Sequence, residues 1–221
     1  MANDTAAFVR QALQHKPRDP ALFELALTHS SLGRDSYERL EFLGDRVLGL
    51  VIARWLFERF PDEPEGKLSS RLNALVARET CAEVGRALGV PEMVRLGKQA
   101  REDGAKHSDN VVGDVVEALL GALMVDAGLE SAETLIRRAW APFLDSQRRA
   151  PQHPKSALQE LAAARNWAPP AYEITARTGA HHSPRFTIRA SIRNVGEAEA
   201  EGSSKQEAET AAAQALLGKL Q

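Results

Sequence analysis

Five carboxylates set the chemistry open to this sequence. In Tyr37-Glu38-Arg39-Leu40-Glu41-Phe42-Leu43-Gly44-Asp45, three acids stand at i, i+3 and i+7. At about 100° per residue they fall within an arc of about 60° and share one helix face. Leu48 and Ile52 continue that face, so the acidic stripe runs into one that must pack rather than be solvated. A second stretch, Val111-Val112-Gly113-Asp114-Val115-Val116-Glu117-Ala118, places Asp114 and Glu117 three residues apart. No Lys or Arg lies at helical contact spacing inside either helix; Arg39 and Arg46 project from another side. Burying such carboxylates costs several kcal/mol each unless they are protonated, paired with arginines from elsewhere in the fold or bound to a cation. All-oxygen ligands suit a hard divalent ion, Mg2+ with Mn2+ as a substitute. A di-iron carboxylate bundle wants Glu-x-x-His, and neither His29 nor His107 follows a glutamate by three.

The elements that must position these acids read as helices. Residues 36–60 lack an internal proline and form one long, largely buried helix that Pro61 ends. Shorter helical patterns cover 4–14 and 20–29, with Phe8, Leu13, Leu22, Leu25 and Leu27 as core contacts, before Thr28-His29-Ser30-Ser31 breaks the pattern. Further helices span 64–76, 79–88, 109–127 and 130–146, with a loop of mixed charge from Lys98 to His107. In the 109–127 helix, Val112, Val115, Val116, Leu119, Leu120 and Leu123 cover much of the circumference, which predicts burial on most sides. Gly44, Gly113 and Gly121 mark places where a second backbone can come close.

Around Arg148, Arg149, Pro151 and Pro154 the grammar changes. The expected division is a first domain over 1–147, a linker over 148–154 and a second domain over 155–221. The second reads as helix (156–166), three strands and helix. Tyr172, Ile174 and Ala176 alternate, as do Phe186, Ile188, Ala190 and Ile192, and 195–201 is a third extended piece. Gly202-Ser203-Ser204 then precedes a helix with a stripe of Ala208, Ala211, Ala212, Ala215 and Leu216.

Composition narrows the class. The chain has 221 residues, 43% apolar and 26% charged, with a net charge of -2, so no global basic signature marks a nucleic-acid partner. The single cysteine, Cys81, rules out an internal disulfide and fits a small residue in a helix core. Neither a signal-peptide run nor a membrane-length apolar stretch is visible, which predicts a cytoplasmic protein with no membrane partner.

Glu38-Arg39-Leu40-Glu41-Phe42-Leu43-Gly44-Asp45 resembles the signature of bacterial ribonuclease III, and Asp114-x-x-Glu117-Ala118-Leu119-Leu120-Gly121-Ala122 is similar to its second acidic motif. Glu65-Gly66-Lys67-Leu68-Ser69 and Leu75-Val76-x-Arg78-Glu79-Thr80 are similar to the segment between them. Residues from about 151 onward resemble a double-stranded-RNA-binding domain. The resemblance implies an all-α endonuclease domain followed by a small α+β domain of order αβββα. It implies metal-dependent hydrolysis of double-stranded RNA to 5′-phosphate and 3′-hydroxyl ends with short 3′ overhangs, in processing of ribosomal RNA precursors and maturation or decay of mRNA, without a nucleotide cofactor. Glu41, Asp45, Asp114 and Glu117 are then the expected metal ligands, with Asp45 and Glu117 catalytic. Glu38 and Glu65 are further cleft acids, although Glu65 at a helix start is also favoured by the helix dipole alone. The family forms homodimers, which makes Phe42 an expected interface residue; the alternative is a place in its own subunit's core.

For the second domain the resemblance assigns RNA contacts to Gln159 and Glu160, to His182 in the strand-connecting loop, and to Ser204 and Lys205 at the last helix. Lys205 also has a reason of its own, since a helix N-terminus with free amides and a lysine binds phosphate. Ser203 and Ser204 fit ordinary capping as well. Ala180 and Gln206 depart from the proline and second lysine usual in the family. Residues 151–221 hold eight Lys plus Arg against seven Asp plus Glu, a thin electrostatic footprint. The rival is a non-catalytic RNA-binding or ribosome-assembly protein on the same fold, for which lost carboxylates would be expected; none is lost.

Overall fold

The computed structural model describes residues 5–147, 150–151, 153–179 and 184–220. It divides into two compact units, one up to Pro151 and one after it. Each has its own apolar core.

The first unit is helical: α1 (Thr5–Phe8), α2 (Pro20–Ala26), α3 (Glu38–Arg59), α4 (Glu65–Leu75), α5 (Arg78–Leu88), α6 (Val90–Met93), α7 (Lys98–Glu102), α8 (Asp109–Ala127) and α9 (Leu129–Ser146). A π-helical turn, Val9–Leu13, extends α1. The segment expected as a loop from Lys98 to His107 instead holds α7 and a 3-10 turn. Its charges sit at helical spacing, as Lys98 paired with Glu102 at 4.0 Å illustrates.

Helix α8 is the centre of the unit. Val112, Val115, Val116, Leu119, Leu120 and Leu123 are all buried, and α2, α3, α5 and α9 pack around it. Each fully buried side chain of this size contributes about 1.5–3 kcal/mol. At the N-terminus, Leu13 and Leu27 are buried as expected, whereas Leu22 and Leu25 are only partly covered and Phe23 holds the core position instead. Trp140 of α9 is buried and donates its indole N–H to the Leu75 carbonyl at 2.8 Å, which ties α9 to the end of α4.

The α3–α8 crossing depends on two glycines. A Cβ on Gly44 would land on the carbonyl of Glu117, and one on Gly121 would land on the carbonyl of Leu40. The two backbones therefore touch. Gly113 has no such role, because a Cβ there meets its nearest atom, the Arg78 carbonyl oxygen, at an ordinary 3.5 Å. Gly85 of α5 is also tightly packed, against Val112 and Val116.

Helix α3 is less enclosed than its composition suggests. Leu48 and Ile52 are fully buried, but Phe42, Leu50 and Phe57 are 67%, 58% and 73% exposed. They lie at i, i+8 and i+15 along one side.

The second unit contains α10 (Pro154–Ala164), β1 (Ala171–Thr178), β2 (Arg185–Ile192), β3 (Gly196–Gly202) and α11 (Lys205–Leu220). The strands form one antiparallel sheet in the order β1-β2-β3. Phe186, Ile188, Ala190 and Ile192 face the core, as their alternation requires. The parallel expectation for β1 fails at Ile174, which is 45% exposed. The register shifts between Ile174 and Ala176, and α11 packs on β2 and β3, so β1 is an uncovered edge with an irregular pleat. On α11, Ala208, Ala212 and Leu216 are buried together with Ala213 and Leu217, while Ala215 faces outward.

The glycine contrast is testable. Gly44→Ala forces α3 off α8 and lowers stability by about 3 kcal/mol or more. Gly113→Ala is neutral or stabilising by up to about 1 kcal/mol through helix propensity. Thermal and denaturant melts of the two variants distinguish these outcomes.

Candidate active site

The glycine crossing brings acids from the two helices together. Helix α3 supplies Glu41 and α8 supplies Asp114 and Glu117, and one carboxylate oxygen from each lies within 4.8 Å of the others. At an effective dielectric of about 20, two unit charges at that separation repel by about 3 kcal/mol. All three residues are partly buried, so water screens the repulsion incompletely.

The titration behaviour follows from this geometry. Burial, then the charges of Asp114 and Glu41, push Glu117 up to about 7, against weaker opposition from Arg78 and Arg46. Burial and the charges of Asp114 and Glu38 raise Glu41 above the usual carboxylate range. Burial also raises Asp114, although a hydrogen bond from Tyr37 and the charges of Arg78 and His29 work the other way. The cations acting on these acids are thus distant in sequence, which helical spacing could not reveal.

Asp45 stands outside the three-acid cluster. Its side chain is 41% exposed and is paired with Arg46. Arg46, expected to project elsewhere, reaches back because its long side chain is flexible enough to cover a neighbour; its guanidinium also lies 5.4 Å from the centre of the Phe42 ring. Glu38 is exposed and likewise outside the cluster. Glu65 is exposed in the first turn of α4, where it accepts a hydrogen bond from Ser69 Oγ at 2.6 Å. Phe42 is not in its own subunit's core.

Two neighbours of the cluster were not singled out by sequence reasoning. The Tyr37 hydroxyl donates to Asp114 Oδ2 at 3.3 Å. Burial and the charges of Asp114 and Glu41 hold that phenol well above its ordinary range, so it remains a donor. The Cys81 thiol is fully buried with Sγ 4.0 Å from Glu117 Oε1. Burial and the charge of Glu117 push it up to about 12. Tyr37 could have been suspected as the residue adjoining the acidic stripe; nothing in the sequence pointed from Cys81 to Glu117.

In the second unit Gln159 and Glu160 are exposed on α10, and Ser204 and Lys205 are exposed at the start of α11. His182 and Ala180 lie outside the described residues. The serines do cap the helix: Ser204 Oγ accepts from the Glu207 N–H at 3.2 Å, and Glu207 Oε2 accepts from the Ser203 N–H at 2.7 Å. Among the described residues Lys205 forms no ion pair, whereas Lys155, Arg185 and Arg189 are engaged by glutamates. No helix among the described residues is long and apolar enough to cross a membrane.

The folded pKa of Glu117, about 7, exceeds its ordinary 4.5, so between those values the folded state holds more protons than the unfolded one. Its contribution to the stability of the metal-free protein is full below about pH 4.5 and is lost as pH rises through about 7. Glu117→Gln therefore raises metal-free stability at pH 8, by about 1–2 kcal/mol once partial exposure is discounted, and by much less at pH 4.5. Melting curves at the two pH values measure the difference.

Comparison with known proteins identifies the family. The family described as Ribonuclease-III-like matches residues 19–143, and the double-stranded RNA binding motif matches 154–220. A protein named Ribonuclease 3 from Zymomonas mobilis is 61% identical over 218 residues, covering 98% of this chain and 89% of the relative. Ribonuclease 3 from Rhodopseudomonas palustris is 43% identical, covering 97% of this chain and 81% of the relative. A solved nuclease domain of ribonuclease III from Campylobacter jejuni, described for structural flexibility in the region involved in dimer formation, aligns with a TM-score of 0.59 and 34% identity. It covers 60% of this chain and 93% of the solved one. With both domains matched in order and the acidic cluster in place, the chain belongs to the bacterial ribonuclease III family of endoribonucleases and carries a double-stranded RNA binding motif.

Proposed function

We propose that this protein cleaves double-stranded RNA with the help of a divalent metal ion, leaving 5′-phosphate and 3′-hydroxyl ends. The observation that carries the proposal is the convergence of Glu41, Asp114 and Glu117 oxygens on one point from two packed helices. Three oxygen ligands and no soft donor suit Mg2+, with Mn2+ as a substitute. A divalent ion there supplies Lewis acidity for water activation and for stabilising the departing 3′ oxygen. Glu117, the acid whose pKa is pushed up to about 7, is the residue on which catalysis most depends. Asp45 joins the set when Arg46 releases it, since the two lie beside the cluster on α3. Glu38 and Glu65 act at the margin of the cleft.

The protein works as a homodimer. Its exposed apolar stripe of Phe42, Leu50 and Phe57 on α3 is the surface to be covered, and the Campylobacter jejuni nuclease domain is described as having a region for dimer formation. Two such centres acting on opposite strands give staggered cuts with short 3′ overhangs. Precursors of ribosomal RNA and structured mRNA are the substrates proposed, in the cytoplasm.

The second domain binds duplex RNA by shape, through Gln159 and Glu160 on α10, Ser204 and Lys205 at the amino end of α11, and His182. Its net charge is only +1, from eight cationic against seven anionic residues between 151 and 221, and several of the cations are already paired.

Incubating the protein with a long RNA duplex and Mg2+ tests the catalytic reading. The unaltered chain cleaves it, and Glu117→Gln retains RNA binding while losing at least about a hundredfold in rate. Absence of cleavage by the unaltered chain refutes the proposal. For the fragment from Pro151 onward, which has its own core, a Kd on the order of 10⁻⁶ M or weaker at physiological salt is expected, weakening steeply as salt rises. Nanomolar, salt-insensitive binding by that fragment would contradict the weak electrostatic footprint proposed for it.

A further inference from the structure

The Tyr37 hydroxyl is a buried polar group at the head of α3, and metal ligation by carboxylates alone leaves it without a role. Tyr37 is 4% exposed, and a buried phenol requires a hydrogen-bond partner. Its partner is Asp114 Oδ2, on the other helix of the cluster. The bond therefore spans the interface between the N-terminal end of α3 and α8, beside the point where the acids converge.

The phenol is itself held. The Tyr37 backbone N–H donates to the Thr28 carbonyl at 2.9 Å. The His29 ring meets the Tyr37 ring edge-on, with centroids 5.8 Å apart and planes at 66°. His29 has little freedom of its own: its Nδ1 accepts from the Ser31 N–H at 3.0 Å, and its backbone N–H donates to the Arg95 carbonyl at 3.1 Å. Ser31 Oγ accepts in turn from the Gly97 N–H at 2.9 Å. A Cβ on Gly97 would come within 2.7 Å of the Ser31 carbonyl oxygen, so the absence of a side chain there allows the contact. A continuous path of fixed contacts thus runs from residues 95–97 through the Thr28-His29-Ser30-Ser31 turn to Tyr37 and ends on one oxygen of Asp114.

That ending has a chemical consequence. A carboxylate with one oxygen held by a donor cannot rotate freely, and its other oxygen points in a fixed direction. We propose that Tyr37 is a positioning residue of the metal site, its hydroxyl orienting the Asp114 carboxylate so that Asp114, Glu41 and Glu117 present oxygens to the same cation. The inference rests on the metal-dependent reading above. Tyr37 touches neither RNA nor the reacting atoms in this role; it acts through Asp114.

The test uses the full chain without RNA and measures Mn2+ affinity directly, from the electron paramagnetic resonance signal of free Mn2+, for the parent and for Tyr37→Phe. Phenylalanine keeps the ring and its contact with His29 and removes only the donor. Loss of an outer-shell partner of this kind weakens metal binding by about 10–100-fold, and Tyr37→Phe is expected in that range with its melting temperature close to the parent's. In the cleavage assay the Mg2+ concentration for half-maximal rate rises accordingly, while the rate at saturating Mg2+ stays near the parent's. Equal Mn2+ affinity in a folded Tyr37→Phe overturns the inference and leaves the metal reading intact. No Mn2+ binding by the parent overturns both. Should Tyr37→Phe fail to fold, fluorotyrosine labelling of the unsubstituted chain replaces it, because the sequence has only two tyrosines, Tyr37 and Tyr172. The Tyr37 fluorine resonance, assigned with Tyr172→Phe, shifts on Mg2+ titration if the hydroxyl tracks Asp114; a resonance unmoved at saturating Mg2+ refutes the assignment.

Discussion

Backbone contact between α3 and α8, made possible by Gly44 and Gly121, is the constraint from which the rest of the catalytic unit follows. Each glycine inside a helix costs about 1 kcal/mol relative to alanine. The return is an interhelical approach at which the Glu117 and Leu40 carbonyls occupy the space where side chains would otherwise stand. With the backbones in contact, acids one turn from the crossing on either helix meet. With the helices separated by ordinary side chains, Glu41 would lie too far from Asp114 and Glu117 to share one ion. The apolar body of α8, covered by α2, α3, α5 and α9, holds the crossing in place.

The same helix shows what a satisfied acid looks like. Asp126, at the far end of α8, is 7% exposed, the most deeply buried acid among the described residues. Burial alone would raise its pKa, but the backbone N–H groups of Arg18 and Asp19 and the His15 ring donate to it, and its pKa is lowered. Asp126 fastens the N-terminal segment to the end of α8. Glu117 and Asp114 are partly buried in the same helix without such an array of donors, and both are raised. The two kinds of carboxylate on one helix differ in what meets them: one is satisfied by donors and contributes to the fold, and the others, in their charged form, weaken it.

The second unit divides its charges similarly. Arg189 of β2 is engaged by Glu197 and Glu199 of β3, and Arg185 by Glu201, so the cations of the sheet serve the sheet. Glu207 and the two serines before α11 satisfy that helix's first amides reciprocally. Lys205 stands exposed at the same helix start, outside those pairings. A domain with so few uncommitted cations suits recognition of a regular duplex by several weak contacts better than tight capture of a single strand.

Much of this was legible in the sequence. Periodicity alone placed the acids of each helix on one face, identified α8 as buried on most sides, and marked the change from a helical to an alternating pattern after residue 166. It also flagged Gly44 and Gly121, although Gly113 looked the same and does not matter. Local sequence does not say which glycine meets another backbone, because that depends on the partner helix. The edge position of β1, and with it the exposure of Ile174, follows from where α11 lies and not from alternation. The engagement of Asp45 by Arg46 turns on the reach of one flexible side chain. The joining of Tyr37 and Cys81 to the acids of α8 depends on contacts between residues 77 and 36 positions apart. The sequence by itself determined which residue types stood ready for metal chemistry and on which faces of which helices, since those are matters of local geometry. Only the tertiary structure decided which three acids share a point and which neighbour orients them, since a site of this kind exists only where two backbones come into contact.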